Sequence, residues 1–162
     1  MGEREMFLVL ASLFFFSMTS LSVNRFCLNN SEILMQSEHE KYAISLAQSI
    51  IEDAKTRAFD VATEAGPSSN PPSDFTYPAS ARNDEYYPNY SDVDDFTDID
   101  IQVNNGKATY NVTAYVGYVE DTNPAQFVSH RTYYKKMVVT VSSDVLPRDI
   151  ALSQVYSYFF FD

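Results

Sequence analysis

The pattern of apolar and polar positions changes three times along the chain. Met6 to Asn24 is a mostly apolar run without a single charge, set between Glu5 and Arg25. As a helix rising about 1.5 Å per residue it spans about 28 Å, close to the hydrocarbon thickness of a bilayer. No small-x-small cleavage site or change of composition ends the run, so the segment is expected to stay in the mature chain. Ala43, Ala47, Ile50, Ala54 and Ala58 then recur at three- and four-residue steps, flanked by Ile44, Leu46 and Ile51. Glu38, Lys41, Ser45, Gln48, Glu52 and Lys55 take the opposite side, which predicts an amphipathic helix. Asp53 and Arg57, four apart, are expected to pair on its solvent face. Neither Pro nor Gly interrupts Glu3 to Ala65, so one helix is predicted from about residue 3 to about residue 60.

Gly66 and Pro67 end that helix, and most of the chain's prolines follow before Asn89, among Ser, Asn and Tyr. This composition opposes both helix and ladder and predicts a surface loop, partly ordered by Phe75, Tyr77, Tyr86, Tyr87 and Tyr90. Beyond it the period becomes two. Ile99, Ile101 and Val103 alternate with polar residues, and Asn104-Asn105-Gly106 supplies a tight turn. Tyr110, Val112, Ala114, Val116 and Tyr118 share one face of a second strand. A long third strand is predicted from Phe127 to Ser142, and a fourth from Ile150 to Phe160. Short turns between sequential strands favour an antiparallel meander. The expected fold is α+β: a long N-terminal helix, apolar in its first half, packed on a four-stranded antiparallel sheet. Its segments are 1–28 (apolar helix), 29–65 (amphipathic continuation), 66–97 (irregular and acidic loop) and 98–162 (sheet).

Charge narrows the partners. A net charge of −11 repels polynucleotides and anionic headgroups, so no nucleic-acid partner is expected. Cys27 is the only cysteine, which excludes an intrachain disulfide. His39 and His130 stand far apart with no cysteine near either. No triad order, phosphate loop or metal-ligand spacing accompanies them, so no enzymatic activity is expected.

The order of segments, with Met1 to Leu13 (MGEREMFLVLASL) and the acidic Asp92-Val93-Asp94-Asp95-Phe96, resembles the type IV pilin-like proteins, pilins and pseudopilins. In that family a glutamate precedes an unbroken apolar run. The resemblance implies a structural subunit held first in the inner membrane and then polymerised into an extracellular filament by an inner-membrane machinery. It implies assembly through Glu5, with Arg4 as a second partner, and through Leu8, Leu10, Leu13, Phe14, Phe15, Phe16 and Leu21. The alternatives are a pseudopilin or minor pilin of a secretion or DNA-uptake machine, and a bitopic membrane protein with a periplasmic binding domain that never polymerises. Glu3, Arg4 and Glu5 would then mark only a headgroup boundary.

No cofactor is otherwise expected, but Asp92, Asp94, Asp95 and Asp98, followed by Asp100, offer hard oxygen ligands of the kind Ca²⁺ takes. Pseudopilins, which this region resembles, often bind that ion. A solvated acidic loop is the competing reading, since the Gly and terminal Glu of an EF-hand loop are missing. Asn29, Asn89 and Asn111 each open an N-x-Ser/Thr sequon and are candidate glycan acceptors.

Overall fold

The computed structural model describes residues 2–77, 86–97 and 99–160. The expected α+β fold is present: a helix, α1 (Glu3–Ala54), and an antiparallel sheet on which its second half packs. The chain divides into two compact units, Met1–His39 and Glu40–Asp162, and α1 runs through both.

In the second unit the predicted stripe is the buried one. Ala43, Ala47, Ile50, Ile51 and Ala54 are buried. The three alanines let the helix backbone approach the sheet closely. Tyr156 ties the two layers by donating its hydroxyl to the Ile51 carbonyl at 3.0 Å, and the Tyr42 and Tyr110 rings meet at 4.9 Å. Asp53 and Arg57 form the expected ion pair at 2.8 Å.

The helix stops at Ala54, short of the predicted end near residue 60. Local propensity loses to tertiary pairing here. Ala58 leaves the helix to pair with the loop, its N–H donating to Ser91 O at 3.0 Å and its carbonyl accepting from Val93 N at 2.9 Å. Phe59 enters the core beside Phe75 and Tyr158, and Asp60 caps a short 3-10 turn, Val61–Thr63.

The sheet contains β1 (Asp100–Asn104), β2 (Thr109–Glu120), β3 (Asn123–Phe127), β4 (Tyr134–Ser142) and β5 (Ile150–Ser157). Its order is β1-β2-β4-β5, all antiparallel, with β3 paired to the end of β2. At the β1–β2 hairpin Gly106 takes a φ of 81°, and the side chains of Asn104 and Asn105 accept the turn's N–H groups. On β2 the predicted face, Tyr110 to Tyr118 in alternation, is buried.

The long strand predicted over 127–142 is two strands. Thr132 caps the start of β4, its hydroxyl donating to Val119 O and accepting from Tyr134 N. The residues before it turn instead of extending. Phe127 of β3 lies across Gly117 of β2, where any Cβ would come within 2.8 Å of its ring. In the preceding loop Phe75, Tyr90 and Phe96 are buried and Tyr87 is half-buried, whereas Tyr77 and Tyr86 stay exposed.

The second unit carries its own core, so deleting residues 1–28 should yield a soluble, folded monomer. A cooperative thermal transition and a monomeric elution volume are the expected results.

Candidate functional site

In the first unit nearly every side chain from Glu3 to Gln36 is exposed, including Phe14 at 66% and Phe16 at 72%. Four of the hydroxyls that interrupt the apolar run are satisfied within the helix. Ser12 donates to Val9 O, Ser17 to Phe14 O, Thr19 to Phe16 O and Ser22 to Met18 O, all at 2.8–2.9 Å. Hydroxyls bonded back to the preceding turn present no unpaired donor to a nonpolar surrounding. Among the described residues α1 is the one helix long and apolar enough to cross a membrane. Its most apolar window of 18 residues has a mean hydropathy of 2.0. At its start Glu5 accepts the Gly2 N–H on Oε2 at 3.2 Å, and Glu3 and Glu5 place negative charge where the helix dipole favours it.

The acidic run has a different place from either one the sequence suggested. Asp92, Asp94 and Asp95 are buried, so they do not form a solvated loop. Asp92 Oδ1 accepts from the N–H groups of Asp94 (2.7 Å) and Asp95 (3.2 Å). Asp95 Oδ2 accepts from those of Ser91 and Asp92, both at 3.1 Å. These two carboxylates shape the turn by taking backbone donors. Asp94 faces a cation instead: Lys135 Nζ lies 2.8 Å from each of its oxygens. An ammonium is thus the cation that Asp94 faces. Among the described residues no three His, Cys, Asp or Glu side chains converge as a metal site. Asp98 lies outside the described residues, and Asp100 is exposed at the start of β1.

Nothing in its residue type marks Lys135, yet it sits in phase with Met137, Val139 and Val141 on the buried face of β4 and is 0% exposed. Its amine also donates to Asp60 Oδ2 at 2.7 Å and to the Phe59 carbonyl at 2.8 Å. The Phe59 and Tyr118 rings flank it at 4.6 and 5.2 Å from their centroids. Asp60 is held in turn by the N–H groups of Ala62 and Thr76 and by the hydroxyls of Thr76 and Tyr118.

One amine cannot neutralise two buried carboxylates, and the pair divides accordingly. Burial pushes the Asp94 carboxyl up to about 8 despite the lysine beside it. Burial acts on Asp60 in the same direction, but Lys135 and the backbone donors of Ala62 and Thr76 outweigh it and hold that group below the usual carboxylate range. Burial, aided by the charge of Asp95, raises Asp92 to about 6. Tyr118 is pushed upward as well, first by burial and then by Asp94 and Asp60.

Of the three sequons, Asn29 is exposed on α1 and Asn89 is exposed in the loop. Asn111 is half-buried in a strand paired on both sides, with Oδ1 shut off from solvent, and suits a glycan poorly. Compared with protein-family models, with curated proteins and with solved structures, the chain finds no match in any of the three.

Two outcomes are expected for the soluble unit. Lys135→Met should lower its stability to urea by about 3–5 kcal/mol, because the buried Asp60 carboxylate loses the ammonium paired with it. The second concerns pH. A carboxyl raised from 3.8 to about 6 stabilises the fold below pH 4 and loses that contribution as pH rises through 6. Asp92→Asn keeps the oxygen that accepts the two N–H groups and should flatten this part of the melting-temperature profile. An unchanged profile in that variant would remove Asp92 from the account.

Proposed function

We propose that this protein is the structural subunit of a type IV pilus-like extracellular filament, polymerising through the first half of α1. The observation that carries the reading is the exposed apolar run of residues 6–24, with four of its hydroxyls bonded back to the helix, on the same helix whose second half is fixed to an antiparallel sheet. Such a surface is unstable in water. A bilayer covers it before assembly, and the same segments of neighbouring copies cover it afterwards. Leu8, Leu10, Leu13, Phe14, Phe15, Phe16 and Leu21 exchange lipid contact for helix–helix contact. Apolar burial is then nearly equal in the two states, so extraction from the membrane requires work from an inner-membrane machinery, and the assembled core is held by dispersion and close packing.

Glu5 gives the assembly its register in this reading. Its carboxylate caps Gly2 within one chain. In a dry helical core an uncompensated carboxylate is expensive, and a cation from the adjoining copy, an N-terminal amine or Arg4, resolves it. The reading contains no catalytic step and no resident cofactor.

Glu5→Ala should leave the subunit synthesised and in the membrane fraction, while the yield of sheared filaments falls about tenfold or more, the equivalent of ~1.4 kcal/mol. Filament yield equal to that of the unmodified chain would overturn the pairing.

A further inference from the structure

The contacts of Lys135 are those of a reactant pair as much as those of an ion pair. Its amine lies 2.8 Å from each oxygen of the Asp94 carboxyl, hydrogen-bonded to Oδ2 while the buried Oδ1 accepts no hydrogen bond. Both side chains are essentially without solvent exposure, and the Phe59 and Tyr118 rings stand beside the amine. A second carboxylate, Asp60, touches the same nitrogen at 2.7 Å and is immobilised by four donors of its own. A ternary array of amine, carboxyl and auxiliary carboxylate in a dry pocket is a complete set of groups for amide formation.

We propose that Lys135 Nζ and Asp94 Cγ condense to an intramolecular isopeptide bond once the domain has folded, with Asp60 relaying the protons. In the starting state the amine is an ammonium, Asp94 a neutral carboxylic acid and Asp60 a carboxylate. Asp60 takes one proton from Nζ. The nitrogen lone pair then attacks Cγ, forming the N–C bond and a tetrahedral centre. As the Cγ–OH bond breaks, Asp60 passes its proton to the departing hydroxyl and receives the second proton from nitrogen. The products are a secondary amide, one water and a protonated Asp60, so no oxidant, cofactor or activated carrier is needed. The neutral form of Asp94, which burial favours, is the electrophilic one.

Two features drive the reaction. Fixed orientation converts a bimolecular condensation into an intramolecular one, with effective molarities on the order of 10⁵–10⁸ M in favourable cases. The closed pocket also favours two neutral products over a buried ion pair. The bond would staple the acidic turn to β4, beside the point where α1 gives way to the loop. It depends only on the second unit and holds whether or not the chain polymerises.

The test is mass spectrometry of the full chain, purified in detergent and then denatured. The expected mass is lower than that of Lys135→Arg by one water, after correction for the substitution. Proteolysis should release one peptide pair joined between Asp94 and Lys135. Asp94→Ala should abolish the pair, and Asp60→Asn should abolish it or slow its appearance after folding. Separate, unjoined Asp94 and Lys135 peptides from a chain that melts cooperatively would overturn the proposal. So would a water loss that maps to any other residues. A cross-link formed in Asp60→Asn at the original rate would overturn the role given to Asp60.

Discussion

A helix whose first half is apolar and exposed must find cover for that half, and that constraint organises this molecule. From residue 43 onward α1 is kept dry by the sheet through a stripe of small residues. Its earlier turns carry Leu, Phe and Met on every side, exposed, with the hydroxyls of Ser12, Ser17, Thr19 and Ser22 turned back onto the helix. A helix apolar all around does not lie on a globular core; it belongs inside a membrane or inside a bundle of its own kind. The second unit has its own sheet, core and capped turns.

Within that unit the charged centre is the least replaceable part. Lys135 joins three pieces of chain distant in sequence: the exit of α1 at Phe59 and Asp60, the acidic turn at Asp94, and β4. Apolar contacts tolerate small slips, but a buried amine with fixed acceptors has one register. The same contacts explain why the helix ends where it does, since Asp60 must face the lysine and Ala58 must pair with Ser91 and Val93. As an ion pair the cluster specifies the fold, and as a covalent link it would lock it.

Periodicity made much of this legible. The Ala43 to Ala54 stripe, the alternating face of β2, the Asn104-Asn105-Gly106 hairpin and the Asp53–Arg57 pair all rest on neighbours a few residues apart, where spacing alone sets the geometry. Features governed by distant partners were not legible. The acidic run looked like a cation site because its counter-ion lies some forty positions away in the chain. The one available signal was the phase of Lys135, aligned with Met137, Val139 and Val141 on what had to be a buried face. The break between β3 and β4 was hidden in the same way, because Thr132 caps against Val119 rather than against its own strand. Helix α1 ended early through pairing at Ala58 that no propensity contains.

The central claim is that residues 6–24 leave lipid to become the core of a polymer. Cryo-electron microscopy of filaments sheared from cells that express the chain tests it most directly. The account predicts a helical assembly built mainly of this chain, with the 6–24 segments of successive copies packed on the axis and Glu5 against a cation of a neighbour. Filaments whose 6–24 segments face solvent would contradict it. So would a chain found only as a membrane-bound monomer in cells whose surface filaments are built from something else.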